Sequence, residues 1–486
     1  MTESLPGMEY ANRTAEVQQE PWPAYSERER DLRTREQASQ INQALFFFAA
    51  IVAFILEAAG IYWLTAIGVG VFVWLLARFV REAGKDIPVE TLALLLAALQ
   101  WVVGPLLYYE GLADHYKYFM YVDQQTYMNL AVPALICYVT GMLAFRGRDR
   151  TRKTDRLLRR AWNLIAQHPY VPYWLVAGGL AALVLQRFAP PSLGFLFYLL
   201  SGCAYIGVIY LLFSPQRKKW VALSLAVLLA AIGAVQRAMF FNSMLWISFI
   251  GLYAAIIIKP RLHTKLLVLL AVTIVVVALQ GIKAEYRRIV WKEGVDNRLT
   301  AFAALIGGKL NEEEEDLFGK GATEATVIRI NQGWIISRIM HQVPRFVPFA
   351  EGKTIWDDIR AALVPRILDP NKPVASGREY YQRFTGFSLT GTSMGIGTLG
   401  ESYANFGVLG SCVCLFIYGC LIALTIRGLY RLADRWPTLI LWFPLMFLHV
   451  VKAEAEFLTV INYCVRGAMV TLAVFWFCTH VLHWKM

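Results

Sequence analysis

The sequence predicts an all-α, polytopic membrane protein of about twelve transmembrane helices, and three observations carry that expectation. The chain is 57% hydrophobic and only 17% charged, with a mean hydropathy of +0.46. A soluble domain carries about 25% charged residues, so this composition supplies too little polar surface for a water-soluble protein of 486 residues. Apolar runs near or above about 18 residues recur, long enough to cross a hydrocarbon core about 30 Å thick. Lysine and arginine gather in short segments between alternate runs, as in cytoplasmic membrane loops. A soluble enzyme, a secreted disulfide scaffold and a disordered tail protein are excluded.

Residues 1–41 are polar and charged and hold no apolar core for cleavage, so they read as a cytoplasmic tail rather than a signal peptide. Spans are predicted near 43–58, 61–80, 88–108, 127–145, 172–188, 194–213, 220–236, 243–258, 266–281, 407–426, 438–452 and 459–480. The first nine make a membrane unit over 42–281, and the last three make a second over 407–486. Glu57-Ala58-Ala59-Gly60 is the only punctuation between the first two. With the amino terminus inside, the cytoplasmic loops hold Arg78, Arg81 and Lys85, then eight basic residues against two acidic ones over Arg146–Arg160. Further along they hold Arg217-Lys218-Lys219, then Lys259, Arg261 and Lys265, then Arg427, Arg431 and Arg435. Both termini are then inside, and residues 282–406 form one large external loop.

The net charge of +12 would suggest nucleic acid in a soluble protein, but here it is spread over membrane loops, and no nucleic-acid motif is visible. The seven cysteines lie in or beside apolar stretches without metal-ligand spacing and read as packing residues. The acidic run Asn311–Asp316 lacks the alternating ligands and turn glycine of a calcium loop. No metal or cofactor is expected.

A loop of this size in a tightly looped protein points to function, and four features stand out in it. Lys283-Ala-Glu-Tyr-Arg287-Arg288 puts basic side chains at headgroup depth, where a lipid phosphate sits; interfacial snorkelling is the bland alternative. Ala325–Val343 reads as one amphipathic helix with Asn331, Trp334, Arg338 and His341 on one face, ended by Pro344. Trp356-Asp-Asp-Ile-Arg360 leads into a proline-rich course that carries Arg366 and Lys372, cations suited to an anion of fixed geometry. The stretch from Gly391 to Gly407 is rich in glycine and precedes a membrane helix, whose terminal N–H groups can face an anion. It also carries Glu401, a candidate proton acceptor whose bland role is a salt bridge. Arg237, at a span end, and Arg466, inside the last span, are charges expensive enough to face a cavity or a partner, with Lys452, Glu454 and Glu456 as candidate partners of Arg466.

The ordered runs W-D-D-I … L-V-P-R-I-L-D-P-N-K-P and G-T-S-M-G-I-G-T-L-G-E-S-Y-A-N-F-G-V-L-G, over about 355–410, resemble the O-antigen and exopolysaccharide repeat-unit polymerases, the Wzy class. The many-span layout with one dominant periplasmic loop is similar too. The resemblance implies a metal-independent glycosyltransferase of GT-C-like membrane fold in the bacterial inner membrane. Such enzymes transfer a growing glycan from undecaprenyl pyrophosphate to a lipid-linked repeat unit. It implies roles for Arg366, Lys372, Glu401, Tyr403 and Asn405, which match the family pattern. Arg237, Arg287, Arg288, Arg338 and Arg466 are expected to hold the pyrophosphate on physical grounds alone. Glu401 or His341 is expected to take the acceptor's proton. The resemblance also implies an undecaprenyl-pyrophosphate-linked oligosaccharide substrate, surrounding membrane lipids, and a chain-length regulator and a flippase as partners.

Two other readings share this layout. An O-antigen ligase would use the same donor and a different acceptor. A lipid-linked oligosaccharide flippase would be expected to have short external loops and repeated halves, and no internal repeat is evident.

Overall fold

The computed structural model describes residues 30–147, 149–215, 240–290, 294–295, 297–311, 319–364, 378–388 and 394–484, with scattered positions between 220 and 235. The described residues are mainly helical and contain no strand. Among them nine helices are long and apolar enough to cross a membrane, or ten if a bent pair counts as one span. This is a membrane protein.

The difference from twelve has local causes. The bent pair is Arg150–Gln167 and Val171–Leu185, broken by 88°. Its first arm carries the basic cluster and is amphipathic, so only the second arm matches a predicted span. The run predicted at 438–452 is instead a short 3₁₀ turn, Pro437–Trp442, joined to Phe443–Phe447, and it is packed inside the bundle. The span predicted at 220–236 lies largely outside the described residues. The division near Gly60 is present: one helix ends at Ala58 and the next begins at Trp63.

The predicted loop over 282–406 is shortened from both ends. Leu262–Arg288 runs on as one helix beyond the span, and Gly397 opens a helix that continues to Leu432. That long helix is interrupted at Gly407, whose φ of +67° lies in the left-handed region that favours glycine. Just before the interruption, the carbonyls of Ala404 and Asn405 accept the Ala350 and Glu351 N–H groups at 3.0 and 3.1 Å. These bonds satisfy the carbonyls that a helix end leaves open. Residues 397–406 therefore form a separate buried segment ahead of the membrane helix proper.

The single amphipathic helix expected over 325–343 is two helices, Lys320–Ile330 and Gly333–Gln342. A π-helical turn at Leu99–Val103 explains the break. Its widened backbone leaves the Gln100 carbonyl to accept the Gln332 N–H at 3.1 Å, and the Trp101 carbonyl to accept the Tyr127 hydroxyl at 2.9 Å. The chain at Gln332 is thus bonded directly onto the apolar helix Val89–Tyr109. Nearby, Gln124–Ala144 and Gly397–Leu432 cross so closely that a Cβ on Gly141 would lie 2.2 Å from the Phe416 carbonyl oxygen. Close backbone approach of this kind is how helices associate in lipid.

Candidate functional site

Two polar centres meet on the segment 452–458, which leads into the last membrane helix, Phe457–His480. One is cationic. The Arg329 guanidinium grips the Glu454 carboxylate with both nitrogens, at 2.6 and 2.9 Å, and lies 4.9 Å from the Phe241 ring. Lys452 is buried; its Nζ donates to Asn242 Oδ1 at 2.5 Å, lies 3.4 Å from His449 Nε2, and sits 5.8 Å from the Phe241 ring. Lys283 lies within range of the charges of Arg329, Arg287 and Glu454, and its Nζ donates to Gln280 Oε1 at 3.4 Å. Among the described residues, Arg329, Lys452 and Lys283 share one carboxylate, with Arg287 alongside.

The electrostatics follow from that imbalance. Burial, only partly opposed by Glu454 and reinforced by Arg329, brings the Lys452 ammonium down to about 8. Burial and the Lys452 charge bring the His449 imidazole down to about 2, so it is neutral. Burial would raise the Glu454 carboxyl, but Arg329 and then Lys452 hold it below the usual carboxylate range. Burial and then Arg329 lower the Arg287 guanidinium. One buried and three half-buried cations outnumbering their counter-ion make an arrangement that an oxyanion stabilises.

The second centre is acidic and wholly buried. Glu401 Oε1 accepts the Thr354 hydroxyl at 3.1 Å, and Oε2 accepts the Phe457 N–H at 3.0 Å. Asp358 Oδ2 accepts the next N–H, from Leu458, at 2.9 Å, and Oδ1 accepts the Tyr380 hydroxyl at 2.8 Å. The two carboxyl groups thus cap the last helix together, where its dipole favours negative charge. Burial raises the Asp358 carboxyl to about 6 despite the Tyr380 and Glu401 hydrogen bonds, and burial followed by the Asp358 charge raises the Tyr380 phenol. Asn405 Nδ2 donates to Thr354 Oγ1 at 2.7 Å and to the Glu401 carbonyl at 2.8 Å, and its Oδ1 accepts the Gly352 N–H at 3.0 Å. This centre ties the Lys353–Leu363 and Arg378–Thr385 helices to the bundle.

The other sequence-predicted residues disperse. Tyr403 shares Glu401's helical segment and donates to the Val343 carbonyl at 3.2 Å. Arg338 lies 4.8 Å from the Tyr121 ring and 4.4 Å from Phe387, and donates to the Thr385 carbonyl at 2.7 Å. His341 sits 6.1 Å from both Tyr121 and Phe346, and its Nδ1 is buried without a hydrogen-bond partner among the described residues. Arg466 stacks 4.9 Å from Phe195, while Glu454, expected as a partner for it, pairs with Arg329 instead. Arg288 is exposed at the end of its helix. Arg237, Arg366 and Lys372 lie outside the described residues.

The glycines expected to present N–H groups to an anion do something else where they are described. A Cβ on Gly395 would lie 2.8 Å from the Glu454 carbonyl oxygen, and one on Gly397 would lie 2.9 Å from that of Ala453. They let the 452–458 segment lie directly against the chain. Sequence reasoning missed Arg329 and Asp358. Asp358 had a signal: with Thr354, Ala361 and Ala362 it occupies the buried face of an amphipathic helix, the one acidic residue on that face.

Residues 107–436 match the family described as a domain of unknown function, DUF8712. No curated protein and no solved structure matches the chain. The matched stretch includes Lys283, Arg287, Arg329, Asp358 and Glu401, and it stops before Lys452 and Glu454.

Proposed function

The chain belongs to the DUF8712 family, and we propose that it is a membrane glycosyltransferase that extends lipid-linked oligosaccharide repeat units. In this reading it works at the periplasmic face of a bacterial inner membrane, on a GT-C-like scaffold of about ten spans with both termini cytoplasmic. The observation that carries the reading is the cluster of Arg329, Lys452 and Lys283 around the single carboxylate Glu454, with Arg287 beside it. Such a cluster suits a diphosphate. Charge builds on that group as the sugar departs, and fixed cations in a poorly solvated site stabilise it most at that moment.

The resemblance of 355–410 to repeat-unit polymerases supports the same chemistry. An acceptor hydroxyl attacks the anomeric carbon, the bond to the diphosphate oxygen breaks, and the lipid diphosphate leaves. His341, whose buried Nδ1 has no hydrogen-bond partner among the described residues, is the group proposed to take the hydroxyl's proton. Glu401, with both oxygens occupied, is assigned to holding the last helix rather than to proton transfer.

The test is elongation of undecaprenyl-pyrophosphate-linked repeat units by the purified protein in lipid nanodiscs. Arg329→Gln and Lys452→Gln should each leave single units unextended while the wild type builds long polymer. Full-length polymer from both variants would reject the assignment.

A further inference from the structure

We infer that the external loop 112–121, with Arg338 and its ring partners, is a saccharide-binding surface that continues outward from the cationic cluster. The inference deepens the reading of that cluster as a diphosphate site and rests on it for the placing of the ligand. Its chemistry lies in the loop itself.

Leu112-Ala-Asp-His-Tyr-Lys-Tyr-Phe-Met-Tyr121 alternates rings with polar groups. His115 is stacked between Tyr116 at 4.9 Å and Tyr118 at 4.7 Å, and Phe119 lies 4.2 Å from Tyr121. Tyr116 is 77% exposed and Phe119 36%. These rings are offered to the outside although the loop is firmly held. The Tyr121 N–H donates to Ser337 Oγ at 3.1 Å, and the Met120 sulfur accepts Asn331 Nδ2 at 3.7 Å. Exposed rings on a fixed backbone need no ordering when a ligand arrives.

Saccharide is the ligand class that this pattern fits. One face of a pyranose is a patch of C–H groups that stacks on an aromatic ring, and its edges carry hydroxyls that need donors and acceptors. Asp114, His115 and Lys117 supply those between the rings, and Arg338 supplies a guanidinium fixed over Tyr121 and Phe387. Rings meant for lipid look different here. Phe46, Phe47, Phe48 and Phe54 on the first span are exposed among apolar neighbours. Interleaved charges would carry a desolvation cost in hydrocarbon. Continuity with the anion site comes through Asn331, which donates to the Met120 sulfur at 3.7 Å and follows Arg329 by two residues. A glycan whose reducing end bears a phosphate at the cationic cluster would run out over these rings.

The experiment uses the whole protein in nanodiscs and two probes. One is the oligosaccharide freed by mild acid from the host's polyprenyl-linked glycans, and the other is inorganic pyrophosphate. The wild type should bind both. Tyr116→Ala combined with Phe119→Ala should weaken oligosaccharide binding about tenfold and leave pyrophosphate binding unchanged, and Tyr116→Phe should keep both. Arg329→Gln should do the reverse. Oligosaccharide binding that is absent in the wild type, or intact in the double variant, overturns the inference. So does quenching of a Phe119→Trp reporter by brominated lipid, which would make the loop a membrane anchor. Absent pyrophosphate binding with ring-dependent oligosaccharide binding would sink the diphosphate reading alone.

Discussion

Two clusters of charge, one buried and one half-buried, lie among the described residues, and their bookkeeping differs. In the first, Arg78, Arg146 and Arg150 are ion-paired with Glu82, Asp86 and Glu90. Arg146 lies 3.0 Å from Glu82 and 3.2 Å from Asp86, while Arg150 lies 3.1 Å from Asp86 and is paired with Glu90. Thr154 donates to Asp86 at 2.8 Å, and the Tyr430 ring lies 4.8 Å from the Arg150 guanidinium. Three ion-paired cations meet three carboxylates, with Arg81 also within range of Glu82. In the second, among the described residues, Arg329 is ion-paired with Glu454, and Lys452 and Lys283 lie within range of that same carboxylate. A balanced cluster pins helices together, and a lopsided one would suit an added negative charge.

The largest expected effect tests the first cluster. Arg150→Ala would strip Glu90 of its ion pair in a buried site and should cost about 3–5 kcal/mol, read as a fall in unfolding temperature in detergent. A change below about 1 kcal/mol would mean that these charges are not structural. The second cluster should respond the other way. Arg329→Gln leaves Lys452 and Lys283 to offset Glu454, so stability should move by less than about 1 kcal/mol while pyrophosphate affinity drops about tenfold to a hundredfold. A stability loss as large as that of Arg150→Ala would erase the contrast.

A subtler effect is pH-dependent. Lys452 titrates near 8 in the folded protein, so pyrophosphate affinity should fall as pH rises through about 8, where that cation loses its proton. Stability should run oppositely. The unfolded chain keeps that proton up to about 10.4, so this group's contribution makes stability rise between about 8 and that value. Lys452→Arg should abolish the fall in affinity, and titration calorimetry across this range would measure it. The smallest effect belongs to the acidic centre. Folded Asp358 keeps a proton to about 6 that the unfolded chain releases near 3.8, so its contribution to stability is lost as pH rises from about 4 to about 6. Asp358→Asn should flatten that slope at a cost of about 1 kcal/mol, seen in melting curves at several pH values.

The sequence carried the membrane class openly, since apolar length and charge placement are local properties. The break near Gly60 was readable for the same reason. Pairings across distance were not. Arg329 and Glu454 are 125 positions apart, and nothing near either residue announces the other. Glu401 was singled out as a carboxylate beside the bilayer, yet its surroundings come from Thr354, Asp358 and Phe457, which only folding assembles. The helix expected over 325–343 broke because a π turn 230 residues earlier offered Gln332 a carbonyl, which periodicity cannot foresee. The ring-rich stretch 112–121 was in plain view; its meaning depended on which rings stay uncovered.

The segment 452–458 faces two ways. Lys452 and Glu454 reach the cations, while the N–H groups of Phe457 and Leu458 are fastened to Glu401 and Asp358. An anion that drew on Lys452 would pull on the same few peptides that seat the final helix, so filling one centre would strain the other.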